Sequence, residues 1–268
     1  QTFSPVFSPD DKSLAAVCMR ALRVKVWDVQ KLLSKPNIFN GLRLADVSSD
    51  LKTKLTDGPD SKEPALRDMQ TGQTLVFYQD FILDSFPNNY CVRFSPDGKL
   101  FTIRAAPAPK QPTSMIEIRA VTDGKLIASL TGHTASVLAT AFSPDGKTLA
   151  TVDESGVLKF WNTATWQESA SLRLGAYYIV YLEFSPDGRR LLFGGRLSEI
   201  QIWDVASRTH LLSLRGHRGW TMYAKYSPDG KLIASASWDY TVKLWDAATG
   251  RELRTLKGHA NSVYAVAF

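Results

Sequence analysis

The stretch Phe142-Ser143-Pro144-Asp145-Gly146 recurs along the chain and decides its fold. Proline presets the second position of a turn, aspartate can hydrogen-bond nearby backbone, and glycine tolerates a positive φ, so Ser-Pro-Asp-Gly predicts a tight turn. Related turns begin at five serines, namely Ser8, Ser95, Ser143, Ser185 and Ser227. The gaps between these serines are 87, 48, 42 and 42 residues, which indicates a repeated structural unit.

A tryptophan stands at a nearly fixed distance after four of these turns. The four tryptophans follow their turn serine by 18 or 19 residues and are Trp27, Trp161, Trp203 and Trp245. Apolar and polar residues alternate up to the tryptophan, as in Thr241-Val242-Lys243-Leu244-Trp245, and this period predicts β-strands. Four strands of about five or six residues, joined by short turns, fill one period.

The gap of 87 residues predicts a degenerate copy of the repeat inside it. Val47-Ser48-Ser49-Asp50 divides that gap into 40 and 47 residues, and Arg67 follows Ser48 by 19, at the tryptophan position. Arg119 occupies the same position in the third repeat. We therefore predict a single domain over residues 1–268 with repeats at roughly 1–37, 38–82 (degenerate), 83–130, 131–172, 173–214 and 215–256, and the start of a further repeat at 257–268.

These motifs resemble the WD40 (WD-repeat) β-propeller family. The resemblance rests on Gly-His dipeptides before a first strand and Trp-Asp dipeptides on a third strand, found at Gly132-His133, Gly216-His217, Gly258-His259, Trp27-Asp28, Trp203-Asp204 and Trp245-Asp246. It covers nearly the whole chain and implies an all-β propeller of four-stranded antiparallel blades.

The resemblance also implies a hydrogen-bonded tetrad within a blade, formed by a loop His, a second-strand Ser or Thr, a turn Asp and a third-strand Trp. In the sixth repeat the matching residues are His217, Ser235, Asp239 and Trp245. The fourth repeat keeps His133 and Trp161 but has Ser155 at the Asp position. The fifth has Gly175 and Leu197 at the His and Asp positions, so we expect apolar packing to hold it instead.

The number of blades is left open by the sequence. Six full periods are followed by one more first strand that stops at Phe268. Either six blades close with one redundant strand, or the chain is a fragment of a longer propeller, and the missing initiator Met favours a fragment of a seven-bladed ring. In a fragment, the strand at 262–268 should lack a neighbour or pair with residues 1–7.

Composition and motifs argue against several chemistries. The chain has 268 residues, a net charge of +6, two Cys and four His, with no apolar run of the ~20 residues that span a membrane. It contains no paired metal ligands, no Gly-x-Ser-x-Gly elbow and no phosphate-binding loop. We expect no catalytic residue, no metal, no cofactor and a cytoplasmic location.

The resemblance finally implies a binding face at the ends of the first strands and in the turns after the second strands. Large aromatic, methionine and arginine side chains fall at these positions, namely Trp220, Trp238, Tyr178, Tyr264, Tyr90, Met222, Arg196 and Arg20. We therefore expect a non-enzymatic scaffold that binds a protein or peptide partner, as a module of a larger protein or complex. The alternatives are nucleic-acid or ribosome contact through the basic surface and, least favoured, an enzyme with a site in the channel.

Overall fold

The computed structural model describes residues 91–104, 115–175 and 178–268 with their side chains, and six strands between residues 13 and 77 by their backbone alone. The regular elements in these parts are all β-strands, as the sequence predicted. They form six antiparallel sheets, which we call blades one to six.

Blades two to six each contain four consecutive strands in chain order. Blade two comprises β3 (Leu44–Val47), β4 (Thr53–Asp57), β5 (Pro64–Asp68) and β6 (Thr74–Phe77). Blade three comprises β7 (Arg93–Phe94), β8 (Leu100–Arg104), β9 (Ile116–Ala120) and β10 (Leu126–Leu130). Blade four comprises β11 (Val137–Phe142), β12 (Thr148–Asp153), β13 (Val157–Asn162) and β14 (Gln167–Arg173).

Blade five comprises β15 (Ile179–Phe184), β16 (Arg190–Gly195), β17 (Glu199–Asp204) and β18 (His210–Arg215). Blade six comprises β19 (Thr221–Tyr226), β20 (Leu232–Ser237), β21 (Val242–Asp246) and β22 (Glu252–Leu256). The four-stranded antiparallel blades inferred from the repeat are therefore confirmed.

Blade one combines the two ends of the described chain. Its strands are β1 (Ser13–Cys18), β2 (Arg23–Asp28) and β23 (Val263–Ala267), in the order β2-β1-β23. The last strand pairs with β1, with Ala267 opposite Ala15. The predicted alternative partner, the segment 1–7, lies outside the described residues. The last strand takes the first place in a blade whose second and third strands come from the first repeat. Whether the ring has six or seven blades stays a prediction.

The chain divides into two compact units, residues 1–38 with 180–268 and residues 39–179. In the first unit, β19 packs against β16 and β23. In the second, β7 contacts β3 and β11. Between blades three and four the core includes Ile116, Ile118, Val137, Leu149 and Trp161, all of them buried.

The Ser-Pro-Asp-Gly turns have the same geometry in the four copies that the structure describes. In blade four, Gly146 N–H donates to Ser143 O at 2.9 Å, and Gly146 has a φ of +70°. Asp145 Oδ1 accepts hydrogen bonds from Ser143 Oγ at 2.6 Å and from Lys147 N at 3.0 Å. The Ser143 hydrogen bond is the main reason why the pKa of Asp145 lies below its ordinary value. Each turn thus fixes the register between the first and second strands.

Burial falls from the second to the fourth strand of a blade, and the sequence shows why. Five of the six residues of β20 are buried, and they are all small or apolar. The outer strand β22 has three exposed residues, Glu252, Leu253 and Arg254. Charged residues on an outer strand keep its open edge in water and discourage pairing with other chains.

Candidate interaction surface

The sixth blade contains a connected chain of four hydrogen-bonding side chains. Trp245 Nε1 lies 2.8 Å from Ser235 Oγ, which lies 2.7 Å from His217 Nε2. His217 Nδ1 is 2.8 Å from Asp239 Oδ2. These are the four residues that the sequence placed together. The chain links the loop before β19 to strands β20 and β21 and to the turn between them.

The donors and acceptors of this chain follow one direction. The indole N–H of Trp245 can only donate, so the Ser235 oxygen accepts and its hydroxyl donates to His217 Nε2. His217 Nδ1–H then donates to Asp239. Burial of Asp239 opposes its ionisation, but hydrogen bonds from His217, Thr241 and the backbone N–H of Arg218 outweigh it. The pKa of Asp239 is therefore held well below its ordinary value, and the carboxylate is charged at neutral pH.

The fourth blade has the same arrangement, with one correction to the sequence analysis. Asp153, not Ser155, takes the Asp position: its Oδ2 lies 2.9 Å from His133 Nδ1. Thr151 Oγ1 lies 2.7 Å from His133 Nε2 and 2.8 Å from Trp161 Nε1. The carboxylate reaches the ring from the end of β12, two residues earlier than expected, and its other oxygen, Oδ1, accepts a hydrogen bond from Ser155 Oγ at 2.7 Å.

In the pair formed by His133 and Asp153, the aspartate carries the charge and the histidine is neutral. Burial lowers the pKa of His133, so the ring is neutral and donates through Nδ1–H. Burial also disfavours the charged form of Asp153, yet hydrogen bonds from Ser155 and His133 hold the pKa of Asp153 below its ordinary value. A neutral histidine donating to a carboxylate is thus a structural link between loop and strand.

The glycines of two Gly-His dipeptides, Gly132 and Gly216, adjoin an ion pair on the outer part of the blade. Lys159 Nζ is 2.7 Å from Glu168 Oε2 in blade four, and Lys243 Nζ is 2.8 Å from Glu252 Oε2 in blade six. A Cβ on Gly216 would stand 2.7 Å from Glu252 Oε2 and 3.2 Å from the Trp245 ring. Glycine therefore leaves the space that the ion pair and the tryptophan occupy.

Blade five holds its tryptophan by other contacts. Phe193 stands where blade six has Ser235, and its ring lies 6.1 Å from that of Trp203. Trp203 Nε1–H donates instead to Gln201 Oε1, at 3.0 Å, two residues back on the same strand. The rings of His210 and Trp203 also form a T-shaped pair, with 6.2 Å between the ring centroids. The tetrad is absent here and packing contributes more, but the indole N–H keeps an acceptor that the sequence did not reveal.

Four of the predicted binding residues form one continuous stack in the first unit. The rings of Trp220 and Trp238 stack with 4.3 Å between their centroids and 28° between their planes. The rings of Tyr264 and Trp238 pack edge to face with 6.1 Å between their centroids, and the guanidinium of Arg196 lies over the Trp220 ring, 5.0 Å from its centroid. Both tryptophans and Tyr264 are partly exposed, and Arg196 is exposed. We call these four residues the aromatic surface.

The aromatic surface is positioned by the ends of strands. Trp220 immediately precedes β19, Trp238 follows β20, and Arg196 follows β16. Trp238 N–H donates to Trp220 O at 2.9 Å and joins the loop to the turn. The indole Nε1–H of Trp238 is buried and has no hydrogen-bond acceptor in the part of the chain that the structure describes.

The other predicted binding residues have different outcomes. Met222 is only 5% exposed, so its assignment to the surface was wrong: β19 is covered by both β16 and β23, and the side chain packs inside. Tyr178 is 42% exposed and belongs to the second unit. Tyr90 and Arg20 lie outside the described residues.

The sequence analysis missed one exposed aromatic residue beside this surface. Tyr240 is 49% exposed and has a φ of +69°, a left-handed conformation that non-glycine residues rarely adopt. The equivalent residue of blade four, also five positions after its tetrad hydroxyl, is Gly156, with a φ of +79°. That glycine was the available signal, because it marks a turn position where a tyrosine is unexpected.

Other functional groups in the described residues are sparse. There is no cluster of three His, Cys, Asp or Glu side chains that could hold a metal ion in the residues described. Burial raises the pKa of the Cys91 thiol to about 12, which removes it as a nucleophile. Within the same residues, no helix has the length and apolar character needed to cross a membrane.

The comparison with known families agrees with this geometry. The family model described as WD domain, G-beta repeat, matches residues 124–162 and 208–246. The first match contains His133, Thr151, Asp153 and Trp161, and the second contains the tetrad of blade six. Both matches thus fall on blades in which the loop histidine, the strand hydroxyl, the aspartate and the tryptophan are joined. Residues 124–162 and 208–246 are therefore WD40 repeats.

Proposed function

We propose that this chain is a non-enzymatic scaffold that binds a protein or peptide partner through the aromatic surface of Arg196, Trp220, Trp238 and Tyr264. WD40 repeats indicate a protein-interaction scaffold in general. The choice of this surface rests on one observation, the partly exposed Trp220–Trp238 stack with an arginine over it. Tryptophan, tyrosine and arginine are the residue types that contribute most binding energy in interfaces.

Blade four indicates that the fold does not require the two tryptophans. Its equivalent residues are Ser136 and Glu154, and Glu154 N–H donates to Ser136 O at 2.9 Å, the same backbone bond that joins Trp238 to Trp220. The loop and turn therefore meet in this way without aromatic side chains. Trp238 moreover has a buried indole N–H with no acceptor among the described residues, and such an unpaired donor costs about 1–3 kcal/mol. Two large rings at such a place are better explained by a partner than by folding.

The arrangement of the stack favours a peptide over a nucleic-acid base. Trp238 covers one face of Trp220, so the Arg196 guanidinium lies over the other. A base would need a free ring face on which to stack. What Trp220 offers to a partner is its edge, next to the donors of Arg196. Apolar side chains and backbone carbonyls of a polypeptide match that combination.

The experiment compares partner capture by the wild-type chain and by the Trp220→Ala, Trp238→Ala double variant. Partners captured from cells are identified by mass spectrometry, and the affinity of the strongest is measured by calorimetry. Loss of a central aromatic anchor should weaken binding by about 2 kcal/mol or more, while the melting temperature changes little. The matched control is Leu211→Ala with Leu253→Ala, two exposed residues of outer strands.

Two outcomes would contradict the proposal. Capture that survives in the double variant would move the site to another surface. Binding that falls steeply with added salt, together with recovery of nucleic acid, would favour contact through the basic surface.

A further inference from the structure

A groove of about 490 Å³ lies beside the aromatic surface, between the loop that precedes β19 and the loop that follows β22. It shares the turn between β20 and β21 with that surface, because Trp238 and Tyr240 flank Asp239 in this turn. Its lining residues come from two loops, one turn and two strands, and are Gly216, Arg218, Asp239, Tyr240, Thr241, Lys243, Thr255, Lys257, Gly258 and His259. The volume falls within the range of ligand-binding pockets.

Among the charged side chains that line the groove, the cations Arg218, Lys243 and Lys257 outnumber the single carboxylate, Asp239. Arg218 and Lys257 are both exposed, and neither forms an ion pair in the part of the chain that the structure describes. Lys243, in contrast, is neutralised by Glu252, and its Nζ also donates to Thr255 Oγ1 at 2.7 Å. The carboxylate of Asp239 is occupied by hydrogen bonds from His217, the Arg218 N–H and Thr241. Among the described residues, these two positive charges therefore line the groove without an ion-pair partner.

Tyr240 stands at the same groove in an unfavourable backbone conformation. Its φ of +69° is the left-handed conformation for which blade four uses Gly156. Strained residues of this kind persist where the surrounding structure holds them, and they concentrate at binding sites. The exposed ring and hydroxyl of Tyr240 supply an apolar wall and a hydrogen-bond donor next to the two cations.

Blade four shows which of these features the WD40 repeat does not require. It has the same tetrad and the same Lys–Glu ion pair, but Thr134 stands at the position of Arg218 and Gly156 at that of Tyr240. The guanidinium and the phenol are therefore additions of blade six to a common frame. They lie on the blade that also carries the stacked tryptophans.

We propose that this groove binds an anionic side chain of the partner, a carboxylate or a phosphate carried by the peptide segment that contacts the aromatic surface. This inference rests on the proposed function and specifies the chemistry of its partner. The Arg218 guanidinium would form paired hydrogen bonds with the anion, Lys257 would add a second positive charge, and the Tyr240 hydroxyl would donate. A neighbouring apolar residue of the same peptide would lie against Trp220 and Trp238.

The test uses small probes whose binding can be located in the intact chain by NMR. N-acetyl-O-phosphoserine amide, N-acetylaspartate amide and the uncharged N-acetylserine amide are titrated into isotope-labelled protein. We expect saturable shifts of the Arg218, Tyr240 and Lys257 signals with the two anions and none with the neutral probe. A tighter response to the phosphoserine probe than to the aspartate probe would identify a phosphorylated partner, and the reverse an acidic one.

Variants then test which residues bind the anion. Arg218→Thr installs the residue of blade four and keeps the backbone N–H that contacts Asp239; combined with Lys257→Gln it should weaken binding of the anionic probes about tenfold or more. The matched control, Arg189→Gln with Arg208→Gln, removes the same charge from exposed positions of blade five and should leave binding unchanged. No localised shift with either anion, or an equal loss in the control, would overturn the inference. So would a stronger response at these signals to a single-stranded oligonucleotide.

The same probes separate this inference from the proposed function. The Trp220→Ala, Trp238→Ala variant should still bind the anionic probes, because the groove side chains are intact. If that variant loses partner capture but the groove shows no response in any protein, only the inference about the groove fails. If the groove responds but partner capture does not depend on the tryptophans, the proposed binding surface fails instead.

Discussion

Blades five and six have the same four strands, the same Ser-Pro-Asp-Gly turn and a tryptophan at the same position, yet they hold that tryptophan differently. In blade six, Trp245 is fully buried and its indole N–H belongs to a tetrad that connects loop, strands and turn. In blade five, Trp203 is only partly buried, packs against Phe193 and donates to Gln201. The blade architecture thus tolerates either solution.

The difference separates what specifies a blade from what stabilises it. The turns and the apolar second strand are common to both blades, so they suffice for the four-stranded sheet. The tetrad adds a link between parts that are far apart in sequence, since His217 lies 22 residues from Asp239. We therefore expect polar substitutions to be costly in blade six, and the corresponding positions of blade five to respond mainly through packing.

The largest effect should come from removing the tryptophan of blade six. Trp245→Ala deletes a fully buried ring and leaves the Ser235–His217 pair without its donor, so we expect a loss of about 3–5 kcal/mol of unfolding free energy. Trp203→Ala should cost clearly less, because that ring is partly exposed. Urea unfolding of both variants measures the difference. Equal losses would mean that the tetrad adds nothing to packing.

The next effect should come from the turn carboxylate. Asp239→Ala removes the acceptor of His217 Nδ1–H and of the Arg218 and Thr241 N–H groups, and buried donors left unpaired cost about 1–3 kcal/mol. The matched change in blade five is Leu197→Ala, which deletes apolar contacts of a partly exposed residue and no side-chain hydrogen bond. An unchanged melting temperature for the Asp239 variant would remove the stabilising role of the tetrad.

Acid should weaken blade six through the same carboxylate. The folded-state pKa of Asp239 lies below its ordinary value of 3.8, so the unfolded chain binds the proton more tightly. The stability from this group is fully present above that value and is lost as the pH falls through the folded-state pKa. Asp239→Asn places an N–H₂ group where one carboxylate oxygen accepts, and should cost about 1.5–3 kcal/mol at neutral pH.

The comparison of wild type and Asp239→Asn at several pH values isolates this contribution. The other carboxylates titrate in both proteins, so their effects cancel in the difference between the two unfolding free energies. That difference should shrink as the pH falls below 3.8. A difference independent of pH would show that the charge of Asp239 is not what holds the loop.

Much of the fold was predictable because its determinants are local. The turn tetrapeptide and the strand period act within about ten residues, and they identified the four-stranded blades. The tetrad of blade six was also accessible, since four independent residues stood at the family spacing. The closeness of Trp220 and Trp238 followed from their places at the same end of one blade.

The other features of the fold and the site depend on contacts that the spacing of residues in the sequence does not reveal. Met222 was assigned to the surface by its position, but two neighbouring strands cover β19. Gln201 accepts from Trp203 through a same-strand contact that no family position marks. The groove beside Tyr240 arises because two loops distant in sequence converge, and its charge becomes visible only when the ion pairs are known.

The smallest net effect should come from exchanging two residues of blade four. Asp153-Glu154-Ser155 has the carboxylate first and the hydroxyl second, whereas Ser237-Trp238-Asp239 of blade six has the reverse order, and both orders reach the histidine. Asp153→Ser alone leaves the His133 donor unpaired, at a cost of about 1–3 kcal/mol. Adding Ser155→Asp reproduces the order of blade six and should restore most of that loss, to within about 1 kcal/mol of wild type. A double-mutant cycle by urea unfolding measures this recovery as a coupling energy. If the losses of the two single variants simply add, an aspartate at position 155 cannot replace Asp153 as the partner of His133. Blades four and six would then not be interchangeable at this position.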